Sequence, residues 1–166
     1  MSGAETVVGL RPAGEADQEF FARVYASTRA EELAPVPWTD EQKSAFVAHQ
    51  FAAQAHHYGI HYADAAYDVI VVDGAPAGRL IVDRSGDALL IVDITLLPEF
   101  RGRGVGTRLL MPLLEEASDA GVGVRIHVEQ SNPALSLYQR LGFETVRSTG
   151  VYFEMWWQPP QAKTAS

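Results

Sequence analysis

Apolar positions along the chain switch between two periods, and the switches mark out the elements. Residues 6–10 read as a short strand, ended by Arg11 and Pro12. From Asp17, a plausible N-cap, to about Leu33, the residues Phe20, Phe21, Val24, Tyr25 and Thr28 recur at helical spacing. Pro35 and Pro37 stop that helix. Thr39 and Gln42 have capping-box spacing, so a second helix starts there. Its expected buried stripe is Phe46, Val47, Phe51, Ala55 and Tyr58, and Gly59 weakens its end.

The period then shortens. Residues 67–72 and the run from Pro76 or Ala77 to Val82 read as strands joined at Asp73-Gly74, a hairpin signal. Ser85-Gly86-Asp87 makes the next turn, and residues 88–97 form a longer strand. A helix follows over 104–120 with Leu109, Leu110, Leu113 and Leu114 on one side. Pro112 falls inside it, so either the helix kinks there or its boundary lies elsewhere. Gly121 is its C-cap, residues 122–128 are a strand, and Asn132-Pro133 opens a helix ending near Leu141-Gly142. Residues 143–146 and 151–157 are two closing strands. Three strands on tight turns form an antiparallel meander, and strand–helix–strand over 88–128 forms a parallel βαβ unit. The expected fold is α/β: a mixed sheet with helices on both faces, in a single domain over 1–157. Residues 158–166 have no apolar period and are expected to be a disordered tail.

The length of 166 residues fits one domain, and 47% hydrophobic with 20% charged residues suffices for a core. The chain has no cysteine, which excludes disulfides, thiolate metal sites and a cysteine nucleophile. A net charge of −8 argues against a nucleic-acid partner and serves solubility first. No apolar run is long enough to span a bilayer, and residues 1–12 lack the regions of a signal peptide. A cytoplasmic location is therefore expected.

The sharpest local feature is the segment 98–107, Pro-Glu-Phe-Arg-Gly-Arg-Gly-Val-Gly-Thr, between a strand and a helix. Gly102, Gly104 and Gly106 allow close approach of the backbone to a ligand. The amides of the following first helical turn and the helix dipole favour an anion, and Arg101 and Arg103 add charge. This chemistry suits a phosphate or pyrophosphate. The dinucleotide spacing G-x-G-x-x-G fails because Thr107 stands at the last position, and a Walker loop would need a lysine.

Arg101-Gly-Arg-Gly104-Val-Gly106 resembles the R/Q-x-x-G-x-G/A motif of the GNAT superfamily of acyl-CoA-dependent N-acyltransferases. The segment from Asn132 through Leu137-Tyr138 to Gly142-Phe143 resembles that family's second signature, N-x-x-x-x-L-Y-x-x-x-G-F. The resemblance covers about residues 69–157 and leaves 1–66 to the family's variable helical half. It implies that the amides of Arg101, Gly102, Arg103, Gly104, Val105, Gly106 and Thr107 hold the pyrophosphate of acetyl-CoA. It implies that the backbone of Ile94, Thr95 and Leu96 pairs with the pantetheine arm, and that Asn132 contacts the cofactor. It also implies direct acetyl transfer to a primary amine of a small molecule or peptide, with Tyr138 protonating the leaving thiolate.

Aminolysis of a thioester also needs a proton acceptor for the amine. Many family members carry Glu or His on the fourth strand, where this chain has the apolar Leu90 and Val92. His127 on the next strand is the first candidate base, and Asp93 the second, if a bulge re-aims it. A water chain relaying the proton would dispense with both. Glu31, Glu32, Trp38 and Tyr62 are candidate acceptor contacts. His57 and His61 have i, i+4 spacing, but no carboxylate completes a metal set, so no metal is expected. Tyr152 and Trp156 alternate with Phe153 and Trp157, giving two apolar faces, one for the core and one for a helix or for the second subunit of a homodimer. The other classes of function are a non-catalytic acyl-CoA-binding module and, against the glycine spacing, a nicotinamide-dinucleotide enzyme.

Overall fold

The computed structural model describes residues 6–130 and 132–160. Seven strands form one mixed sheet, in spatial order β1-β2-β3-β4-β5-β7-β6. They are β1 Val8–Pro12, β2 Ala66–Val72, β3 Ala75–Asp83, β4 Leu89–Leu96, β5 Val124–Glu129, β6 Glu144–Ser148 and β7 Tyr152–Trp157. The helices are α1 Gln18–Leu33, α2 Asp40–His61, α3 Val105–Ala120 and α4 Leu135–Arg140. Residues 77–82 of β3 are buried without a break, so both sheet faces are covered there. The expected α/β class holds, with β4 and β5 as its parallel pair.

The chain folds as two compact units. One runs to Ile81 and includes Asp93–Arg103; the other holds Val82–Val92 and the chain from Gly104 onward. In the first unit, β1 pairs antiparallel with β2 from Val8 opposite Val72 to Pro12 opposite Asp68. The sheet reading of 6–10 is thus two residues early. Pro12 ends an edge strand, where a missing N–H is tolerated. The β2–β3 turn places Asp73 at φ 50° and Gly74 at φ 82°, the two left-handed residues of a type I′ hairpin. Asp73 also ties down β1, its Oδ1 accepting from Val7 N at 2.8 Å.

Asp17 does not cap α1 with its side chain. It closes a short 3-10 turn, accepting from Gly14 N at 2.8 Å, and pairs with Arg11. The Thr39 capping box is complete: Gln42 N donates to Thr39 Oγ1 and Thr39 N to Gln42 Oε1. Beyond it α2 passes Gly59 and runs to His61, longer than expected. Packing of Tyr58 on Tyr62, 5.7 Å between ring centres, supports the last turn. The expected stripe needs correction. Val47 is buried and Phe51, Gln54 and Tyr58 are half-buried, whereas Phe46 and Ala55 are exposed. Phe46 instead packs edge-on against the exposed Trp38, 5.2 Å between centres.

In the second unit α3 continues through Pro112 and ends at Gly121, which is left-handed at φ 70°. Its apolar side buries Leu109, Leu110, Leu113, Leu114 and Ala117. Residues Val124, Ile126 and Val128 of β5 are buried, with Met155 and Trp157 of β7. Strand β7 pairs with β5 throughout its length, and β6 pairs outside it with a bulge between Thr145 and Arg147. The helix expected from Asn132 is only Leu135–Arg140. The reason is local: Asn132 Oδ1 accepts from Ala134 N at 2.8 Å, making a side-chain turn before the helix. Of the tail expectation, residues 161–166 lie outside the described residues.

Candidate functional site

The glycine-rich segment is built as a strand-to-helix turn. Leu97 N donates to Ala77 O, and a short 3-10 turn, Pro98–Phe100, follows. Arg101 Nε donates to Leu96 O at 3.1 Å, which fixes its side chain beside the strand end. Gly102 and Gly104 have φ of 74° and 76°, a backbone that a side chain would strain. Gly104 is the N-cap of α3, and among the described residues no side-chain cap bond is made there. Arg108 N makes the first helical bond, to Gly104 O, so the amides of Val105, Gly106 and Thr107 precede the hydrogen-bonded ladder. Residues 101–104 are exposed, with Arg103 over the Phe100 ring at 5.7 Å. In the second unit, the amides ahead of the α3 ladder are the kind of donors that suit an anion.

Gly106 has a different reason to be glycine. A Cβ there would lie 2.9 Å from Leu137 Cδ2, so this position lets α3 and α4 approach closely.

Tyr138 lies on α4, 3% exposed, with its ring edge-on to Phe143 at 5.9 Å. Phe143 N donates back to Tyr138 O, so the L-Y-x-x-x-G-F segment folds on itself. Asn132 spends its carbonyl oxygen on the turn before α4.

His127 is on β5, exposed, and lies opposite Glu154 of β7 in the ladder. Glu154 is engaged by Trp156 Nε1 at 3.3 Å and by Arg147 at 3.6 Å. Arg125, on the same face as His127, stacks over Trp156 at 4.5 Å. The β4–β5 ladder comprises Leu89–Val124, Leu90–Arg125 and Ile91–Ile126.

Asp93 is held. Its Oδ2 accepts from Arg79 Nε at 2.8 Å and from Arg79 Nη2, and its Oδ1 accepts from Thr95 Oγ1 at 2.7 Å. Asp93 and Thr95 share one face. Arg79 is the buried charged residue among the described residues, 6% exposed. The reading of the sequence passed over it. The signal was present: one arginine inside the otherwise apolar run of β3. Of the acceptor candidates, Glu32 is spent on Arg29, and Trp38 on Phe46. His57 and His61 stack at 4.4 Å, and no group of three metal-ligating side chains occurs among the described residues.

A fold of this kind does not by itself name a function. The model of the Acetyltransferase (GNAT) family matches residues 23–143, and the chain belongs to that family. It is 35% identical over 86 residues to an uncharacterised N-acetyltransferase of Methanocaldococcus jannaschii, covering 46% of this chain and 38% of that one. It is 34% identical over 68 residues to the mouse cysteine-rich protein 2-binding protein, covering 41% of this chain and only 8% of that one. The chain therefore spans a small part of these curated relatives. Its fold is similar to the PaiA N-acetyltransferase of Thermoplasma acidophilum, solved with coenzyme A: TM-score 0.69 and 16% identity, over 92% of this chain and 99% of that one.

Proposed function

We propose that residues 1–157 form one acyltransferase domain that moves an acetyl group directly from acetyl-CoA to a primary amine of a small molecule or peptide. The observation that carries this reading is the glycine turn into an uncapped α3. In this reading the amides of residues 101–107 bind the pyrophosphate, with Arg101 and Arg103 neutralising it. The backbone of Ile94, Thr95 and Leu96 aligns the pantetheine arm, and the amide NH2 of Asn132 donates to it. The amine nitrogen forms a bond to the thioester carbon as the C–S bond breaks. The amine gives up one proton, and the sulfur takes one. Tyr138 supplies the sulfur's proton, and His127 takes the amine's, with Asp93 as the second candidate. Without a cysteine in the chain, no thiol of the protein carries the acyl group between them.

The same reading places the protein in the cytoplasm; no described helix is long and apolar enough to cross a membrane. It includes a homodimer through the β6–β7 region, supported by exposed Val146, Val151 and Tyr152. A monomer mass by light scattering would overturn the dimer. A second reading, a non-catalytic acyl-CoA-binding module, is favoured by the half-buried apolar side chains of Leu90 and Val92 where the family's base is expected.

The test is thiol release from acetyl-CoA with a panel of amines and peptides. Release with one acceptor class supports the enzyme and names its chemistry. Acetyl-CoA binding with no release across the panel favours the binding module.

A further inference from the structure

The strand segment read above as the pantetheine dock, Ile94 to Leu96, is anchored from one side by a buried ion pair. Arg79 on β3 reaches Asp93, one residue before that segment, with two donors on one carboxylate oxygen. Asp93 in turn accepts from Thr95 Oγ1, inside the segment. The guanidinium also faces the helices, through the same Nη2. Arg79 Nη2 donates to Gln54 Oε1 of α2 at 2.9 Å. The rings of Phe21 of α1, and of Phe51 and Tyr58 of α2, stand 5.4, 6.0 and 5.8 Å from its carbon. Two further contacts hold the same stretch to β3. Leu97 N donates to Ala77 O, and Gly78 has no Cβ because Thr95 O occupies that place.

We propose that Arg79 is a positioning residue for acyl-CoA binding: it fixes Asp93 and Thr95, and through them sets the backbone of residues 94–96 against α1 and α2. Removing a buried charge from water is costly, and an apolar pair of similar volume is often as stable or more so. A pair needed for stability alone would therefore be replaceable. A planar fork with two directed bonds to one carboxylate, a third to a helix and three aromatic rings around it instead fixes orientation. In this role Asp93 anchors the strand rather than accepting the amine's proton. The inference rests on the reading that acyl-CoA lies along residues 94–96.

The test separates packing from positioning. Arg79→Met leaves Asp93 without its guanidinium; Arg79→Met with Asp93→Leu replaces the pair by apolar side chains. Melting temperature and acetyl-CoA affinity by calorimetry are measured on both and on the wild type. The expected result is a lower melting temperature in the single variant and recovery in the double. The double variant's acetyl-CoA dissociation constant stays raised by about fivefold or more. Wild-type affinity in the double variant would overturn the inference and leave the reading of the cofactor site intact. If the double variant does not fold, Gln54→Met decides, with a weakening of about twofold to threefold expected from the loss of one directed bond. Unchanged affinity there overturns the inference. A wild-type protein that does not bind acetyl-CoA overturns the reading and this inference with it.

Discussion

The carbonyl oxygen of Thr95 occupies the place where a side chain would begin at Gly78, 2.0 Å from an ideal Cβ. That atom is backbone, so relief would need movement of β4 itself. Gly106 differs, because the atom in the way there is the far end of Leu137 at 2.9 Å. Gly78→Ala is expected to cost about 3 kcal/mol or more. Gly106→Ala should fall within about 1 kcal/mol of wild type, since alanine's helix preference offsets a small shift of Leu137. Urea midpoints at constant slope check both.

Tyr138→Phe keeps the ring against Phe143 and removes only the hydroxyl. Turnover is expected to fall about tenfold or more, while acetyl-CoA affinity stays within about threefold. Equal turnover would refute the acid role.

His127 is exposed on β5, so His127→Ala should fold normally. If its imidazole takes the amine's proton, kcat/KM at neutral pH falls about a hundredfold and the acidic limb of the pH profile changes shape. A profile superimposable on that of the wild type moves the role to Asp93 or to a water relay.

Glu116 is held below its ordinary value of 4.5 by the hydrogen bonds of Arg84, against an opposing effect of burial. A depressed carboxylate adds stability that is present above its unfolded value and is lost as pH falls through the folded one. Both side chains are nearly half exposed, so the pair is worth about 1 kcal/mol or less. Glu116→Gln should therefore lower the melting temperature slightly at pH 7, and the gap should close at low pH. A gap that widens with acid would contradict the assignment.

The features legible in the sequence were those decided within a few residues. Thr39 with Gln42, Asp73-Gly74 and Gly121 each do what local chemistry predicts, because cap and turn partners lie close in the chain. The glycine turn was legible for the same reason. The inner face of α2 was not, because Gln54 faces inward to meet Arg79, 25 residues away, and periodicity alone preferred Ala55. The hold on Asp93 was hidden likewise: Arg79 is 14 residues distant, and nothing in the fourth strand reveals it. Asn132 was read as part of a helix and for the cofactor, although its oxygen is committed to Ala134 two residues on. Gly106 was read for ligand approach alone, and only packing against α4 shows its second reason.

The stack of Arg125 on Trp156 and the edge contact of Trp38 with Phe46 have an optical use. The chain has three tryptophans, and Trp38 is the one in the unit that holds α1 and α2. Replacing Trp156 and Trp157 by phenylalanine would leave an emission that reports on that unit alone. Its colour and anisotropy would then register any ligand that reaches these helices.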